Sequence, residues 1–545
     1  MSKSNFHYTR RDFVMTTTIA AGAALLPAAP SRAKAKYIRY RVTSPEGQKM
    51  LASYAKGVRA MLNLPADHPQ NWFRNAFIHL MDCPHGNWWF YVWHRGYLGH
   101  FEHTIRALSG DDNFALPYWD WTDLPQIPDA MFDGALTPTD ASFEPYTGNL
   151  GLFTSFLKPT LTDYWNNLSS AQHAQLGIRG YKVFEDLWND VTGYKDSLQA
   201  GISGDAAYAN TCGSRYLSRD NPKLDGKTAH AVSKSVVEAG LQPTNFYDPE
   251  SQLSFNSSKT SSHNTQPNGA TKFSILEGMP HNKVHNYVGG VGRIDPGPYG
   301  NMTNFLSPVD PIFFLHHSNM DRLWDVWTRK QKRLNLPYLP TGKDLKILSE
   351  EPFLFYVDGN GNYVRQAKAG DYLSADVFNY EYDGEGSGGE PVGVLSRPLV
   401  SKEASPPIRG KVKANVGAVE VPRDTLQGFL SDRPPGSLIA EVTFPRPEGM
   451  STAREFDVLI NAPENLVHVN ADSPYYAGTV ALFGPTMSNM RMAPDVTFAV
   501  PLRKTLQPFS AFSAEKSTTL NIRVVPSQGQ GGSAPALKAV SLRAL

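Results

Sequence analysis

Apolar positions recur with a helical period through roughly the first two thirds of this chain, then with a two-residue alternation, so the pattern predicts a helical body followed by sheet. Met50, Leu51, Tyr54, Ala55, Val58, Met61 and Leu62 place one apolar stripe on a helix over residues 44–64. A second helix is expected from Asn71 to Met81, stopped by Cys83-Pro84, and a third from Trp88 to Leu108, stopped by Ser109-Gly110. Leu116 to Trp121 reads as a tight aromatic turn, and Glu277–Tyr287 and Ile312–Arg333 carry the next helical patterns. Between these groups residues 125–275 form a long insertion. Helices are expected there near Leu161–Leu176 and Tyr181–Val191, with a Ser/Asn/Thr-rich loop from Ser251 to Thr271.

Further on, Phe353–Val357 and Tyr363–Arg365 flank Asp358-Gly359-Asn360-Gly361 as the arms of a hairpin would. Residues 384–394 have the Gly/Ser composition of a linker. Beyond them come alternating runs at Leu438–Phe444, Glu455–Asn461, Thr479–Phe483, Val496–Val500 and Thr519–Val525. Separated by Pro and Gly turns, they predict a β-sandwich-like domain over residues 395–545. A chain of 545 residues is too long for one compact core, which fits this division.

Composition excludes more than it identifies. A net charge of +1 leaves no electrostatic footprint for nucleic acid or a membrane surface. Two cysteines, Cys83 and Cys212, cannot make a disulfide framework, though they could form one bridge. Residues 1–33 read as a twin-arginine signal peptide, with Thr9-Arg10-Arg11-Asp12-Phe13-Val14, an Ala-rich apolar stretch to Ala29, and Pro30-Ser31-Arg32-Ala33 for cleavage. That implies export of the folded protein to the periplasm or beyond. The stretch is too short, and too rich in Thr and Gly, to span a bilayer.

Candidate chemistry lies in two histidine clusters. His281 and His285 are four apart on an expected helix, so both face one ion. His85 and His94 are nine apart, which would put them on opposite sides of a continuous helix; His85 therefore belongs on the preceding loop and His94 inside the helix. His79, near the end of the helix before, supplies a third nitrogen, whereas His68 and His103 are decoys. Neutral imidazole suits copper, and three nitrogens per metal leave room for dioxygen. Asp321, four residues after His317, is placed to orient it or to bind neighbours of its helix.

Trp93-His94-Arg95-Gly96-Tyr97 with Phe101-Glu102, Leu116 to Trp121, and Asp310-Pro311-Ile312-Phe313 through His317 to Asp321 together resemble the copper signatures of the tyrosinase family. That family includes polyphenol oxidases, catechol oxidases and molluscan hemocyanins. The resemblance covers roughly residues 45–383. It implies a mainly α catalytic domain, residues 34–383, whose four-helix bundle holds two copper ions: one on His79, His85 and His94, the other on His281, His285 and His317. His316 is then a structural neighbour. Cys83, two residues before His85, matches members that form a Cys–His thioether; a plain thiol and a disulfide to Cys212 are the alternatives. Glu277 and Asn282 match the pair that holds a water able to take a proton from a phenol. Phe305 resembles a bulky gate residue above the second copper, with Asn286 and Val284 beside the same pocket. The implied activity is ortho-hydroxylation of monophenols such as tyrosine, and oxidation of DOPA and other catechols to o-quinones, with O2. A diphenol-only catechol oxidase and a hemocyanin-like oxygen binder are the alternatives. The tail resembles a lid or shield over the copper site, and oligomeric state stays open.

Overall fold

The structure is a computed structural model describing residues 35–143, 150–192, 215–247, 254–291, 300–384, 406–431, 436–447, 453–484, 492–510, 517–527, 529–530 and 532–544. The expected leader, Cys212 and the linker from residue 385 onward lie outside the described residues. The chain divides into two units, Met1–Ala35 and Lys36–Leu545, and all the described helices and strands belong to the second.

β1 (Tyr37–Arg39) leads into α1 (Pro45–Asn63), which Ser44 caps by accepting from the Gly47 amide. α2 (Trp72–Asp82) is capped by the Asn71 side chain and is buried along its whole length. α3 (Phe90–Ser109) stops at Gly110, whose φ of 71° is a left-handed C-cap. The insertion supplies α4 (Leu150–Asn166), α5 (Ser170–Ile178), α6 (Phe184–Thr192), α7 (Gly226–Ala231) and α8 (Lys234–Leu241). The one helix expected over Leu161–Leu176 is two, because Ser169 and Gln172 form a capping box that starts α5.

β2 (Ala270–Lys272) precedes α9 (Asn282–Gly289), α10 (Ile312–Arg333) and α11 (Gly342–Glu350). β3 (Tyr380–Tyr382) runs parallel to β1, with Tyr37 opposite Tyr380. The expected hairpin is reduced to isolated bridges, Val357 with Tyr363 and Pro352 with Lys368. Asp321 does not touch His317; it binds the neighbours of its helix. Arg95 Nε reaches Asp321 Oδ1 at 2.7 Å, and Arg39 Nη1 and the Tyr382 hydroxyl reach Oδ2 at 3.1 and 2.6 Å. This buried knot ties α3, α10, β1 and β3 together.

The tail contributes β4 (Ile408–Arg409), β5 (Lys411–Lys413), β6 (Val416–Pro422), α12 (Arg423–Leu430), β7 (Leu438–Pro445), β8 (Glu455–Ile460), β9 (Tyr476–Ala481), β10 (Asp495–Pro501), β11 (Ser517–Pro526) and β12 (Ala539–Ala544). They form two five-stranded sheets, ordered β2-β10-β7-β12-β4 and β5-β6-β11-β8-β9. Inward residues of both, among them Val442, Phe444, Val458, Ile460, Phe498 and Ile522, share one core. β2 belongs by sequence to the helical body, yet it is an edge strand of the first sheet, parallel to β10 with Ala270 opposite Asp495. The Ser/Asn/Thr-rich stretch around it is packed, with Ser257 and Ser258 buried. Two buried ion pairs join body to tail, Lys227–Asp457 and Lys283–Glu455, each at 2.6 Å. No helix among the described residues is long and apolar enough to cross a membrane.

Candidate metal centre

α2 carries His79, the loop after Pro84 carries His85, and α3 carries His94; their ring nitrogens gather within 4.8 Å of one another. His281, His285, His316 and His317 form a second such group. The four-residue spacing of His281 and His285 brings both into the second group, with one local change of backbone. Pro280 has no amide to donate, and the turn Glu277–His281 widens to a π-turn in which the Asn282 amide reaches the Glu277 carbonyl. His281 and His285 then bring their rings to 4.6 Å. The two groups meet where His94 stacks on His317 at 4.2 Å.

The hydrogen bonds fix the tautomers. His79 Nδ1 donates to the Phe305 carbonyl (2.8 Å), His94 Nδ1 to the Phe90 carbonyl (2.7 Å) and His285 Nδ1 to the Met302 carbonyl (2.8 Å). His281 Nδ1 is held by Asn282 Oδ1 at 2.8 Å. Each neutral ring so held offers an Nε2 lone pair. Burial, and then the neighbouring imidazoles, push His79, His85, His281, His285 and His317 well below the ordinary imidazole value, and burial brings His94 to about 3.

His79 and His94, each protonated on Nδ1, face each other with Nε2 lone pairs across 3.4 Å, an arrangement that calls for a cation, and His285 and His317 bring their Nε2 atoms to 3.0 Å. The buried Nε2 atoms of His85 and His281 have no partner among the described residues. A donor set of imidazoles in two groups fits two copper ions. Of the decoys, His103 packs against Phe378, away from both groups, and His68 accepts from the Gln70 amide. His316 comes closer than the sequence implies. Its Nδ1 accepts from the Trp121 indole at 3.1 Å, leaving the proton on a buried Nε2 that has no partner among the described residues, and the residue belongs to the second group.

Around the histidines, several sequence candidates do more than expected. Glu277 is buried and accepts from the Gly86 amide at 2.6 Å and from the Ser257 hydroxyl, so it anchors the His85 loop. Burial raises its carboxyl to about 7 against the lowering effect of those two donors. Nothing in the sequence beyond its place in a polar stretch marks Ser257 for this contact. Asn282 Nδ2 donates to the Ala481 carbonyl (2.7 Å) and Asn286 Nδ2 to the Leu482 carbonyl (3.1 Å), both in the tail. Val284 is buried in the helical core and does not line the cavity beside the histidines. The gate position needs correction. The Phe305 ring faces His85 at 5.6 Å and His79 at 6.4 Å, over the first group rather than the second, because its own carbonyl is pinned by His79. Cys83 is buried and free of disulfide, with Sγ 3.4 Å from His85 Nδ1.

No motif in the sequence singles out Phe483, which follows β9. Its ring lies 4.8 Å from that of His85, 4.3 Å from His285 and 5.4 Å from Phe305. Gly484, at φ 79°, allows the chain to turn there; a Cβ would stand 2.9 Å from the Phe305 ring. About 30 Å³ remains beside these rings, room for little more than water.

A helical bundle with two converging sets of buried imidazoles, roofed by a β-sandwich, defines a dinuclear metalloprotein with a covered site. Residues 59–330 match the common central domain of tyrosinase, and the chain belongs to the tyrosinase family through that domain. Over 379 residues it is 26% identical to polyphenol oxidase II of Ipomoea batatas, covering 64% of this chain and 52% of that one. Over 444 residues it is 26% identical to a latent-form polyphenol oxidase of Prunus armeniaca, covering 76% and 58%. The chain thus spans little more than half the length of these curated relatives. A solved latent aurone synthase (polyphenol oxidase) shares the fold at a TM-score of 0.53 and 19% identity, over 95% of this chain and 91% of that one.

Proposed function

We propose that this protein is a copper-dependent phenol oxidase that hydroxylates monophenols and oxidises o-diphenols to o-quinones with O2, and that its tail keeps it latent. The observation that carries the reading is the pair of imidazole groups with facing Nε2 atoms at 3.0 and 3.4 Å. His79, His85 and His94 would hold one copper, and His281, His285 and His317 the other. Copper there would supply electrons to dioxygen and a Lewis acid for a phenolate.

The chain supplies the rest. Carbonyls of Phe90, Met302 and Phe305 hold three rings in register, so the donor set is preorganised. Glu277, titrating near 7, is suited to taking a phenol's proton, directly or through one water. Asn282 is the partner for that water, but its amide is committed to Ala481 while the tail is docked. Phe483 occupies the place of a substrate ring, beside His85 and His285. The two asparagines therefore act as latches on the segment carrying the plug. Export through Arg10-Arg11 belongs to the same reading: Lys-Lys in their place should leave the protein unexported.

The test is oxygen uptake by copper-loaded full-length protein and its Phe483→Ala variant, each given 4-methylcatechol. The variant should be at least tenfold faster. Equal rates would remove latency, and no uptake by either would remove the oxidase.

A further inference from the structure

The small cavity beside the histidines is bordered by a buried charge that the metal centre does not use. Arg179 follows α5 and is 3% exposed. Its Nη1 donates to Asn264 Oδ1 at 2.8 Å and its Nη2 to the Cys83 carbonyl at 2.9 Å, while its buried Nε has no acceptor among the described residues. His85, Asn282, Phe305 and Phe483 line the same cavity. So does Arg446 of the tail, which donates to the Ala493 carbonyl (3.2 Å) and Thr271 Oγ1 (3.1 Å). Neither arginine has a carboxylate partner among the described residues. The acids of this region are committed elsewhere: Asp82 and Glu351 hold His263, and Glu277 holds Gly86 and Ser257. A buried guanidinium that borders a cavity and keeps one donor unused, with no carboxylate beside it, is poised for an anion.

We propose that Arg179 is a specificity-determining residue that takes the carboxylate of an acidic phenol whose ring replaces that of Phe483. The proposal rests on the phenol-oxidase reading. A ring in that place faces His85 and His285, and a short carboxylate arm directed into the cavity would meet Arg179, which lines it. Arg446 sits on the tail that carries the plug, so Arg179 is the arginine that belongs to the histidine-bearing body. The favoured substrates are phenols with a carboxylate on a short arm para to the hydroxyl. Neutral phenols rank lower, and amine-bearing phenols lowest.

The test uses full-length, copper-loaded Phe483→Ala protein, in which the lost ring leaves a hole that a phenyl group fills. Binding of 3-phenylpropionate and its amide is measured by calorimetry. The acid should bind at least tenfold more tightly than the amide. Arg179→Gln should abolish that preference while leaving amide affinity within twofold, and Arg179→Lys should keep part of it. Equal affinities in the parent, a preference that survives Arg179→Gln, or an equal loss of both ligands would overturn the proposal. Turnover of 3,4-dihydroxyhydrocinnamate and 4-methylcatechol is read in parallel. Failure of both as substrates would refute the oxidase, while the binding preference stands or falls on its own.

Discussion

Burial sets the chemistry of single residues here. Glu277 titrates near 7 because it is desolvated, so its carboxylate form grows as pH rises through neutrality. Monophenol turnover should therefore climb between pH 6 and 8. Glu277→Gln should cut it by about a hundredfold or more and diphenol oxidation much less; initial rates on L-tyrosine and L-DOPA would check this, and equal losses would make Glu277 only the anchor of the His85 loop. Cys83 lies against His85, and its thiol is pushed far up by burial. A thioether between them should appear as an intact mass two hydrogens short that survives reductant, and a mass without that loss rules it out. At this scale the sequence is highly informative about the histidines, because 3.6-residue geometry and the loop at Pro84 constrain them. Phe483 is invisible in it, since nothing in an alternating run marks which residue reaches the histidines.

Elements are held in place by buried polar clamps more than by their own propensity. His263 spans from Asp82 at the end of α2 (2.9 Å) to Glu351 beyond α11 (2.5 Å). Burial opposes its charge, but the two carboxylates win and raise its pKa above the ordinary 6.5. A raised value means stability fully present below about pH 6.5 and lost as pH rises through the folded value. His263→Gln should cost roughly 3 kcal/mol at pH 6, measured by denaturant unfolding, and flatten that dependence. The helices α1, α2, α3 and α10 and the tail strands β7 to β11 can be read from periodicity, whereas α7, α8, α11 and α12 are not. The break at Ser169, the π-turn at Pro280 and the capture of β2 cannot, because they depend on a local cap, a missing amide and a tertiary pairing.

On the scale of the whole molecule, the tail is built in rather than appended. Its core includes Phe273, Ile275 and Met279 of the body, and β2 completes its sheet. A chain cut after Gly384 should therefore expose these side chains and aggregate, as light scattering would record. Opening is better sought at the latches. Asn286→Ala, which removes the bond to the Leu482 carbonyl, should raise 4-methylcatechol oxidation severalfold without raising copper content. The sequence pattern separates body from tail, but the interface joining them is not legible in it, since alternation reports one buried face and not what covers it.

The proposed function depends on two histidine groups holding two coppers that oxidise phenols. The decisive experiment measures copper content and oxygen uptake together on the full-length Phe483→Ala protein, with L-tyrosine and then L-DOPA. Two coppers per chain and uptake with both substrates are expected, as are loss of one copper's binding and of all uptake in His94→Ala or His285→Ala. Two bound coppers with no uptake on L-DOPA would contradict the proposed chemistry.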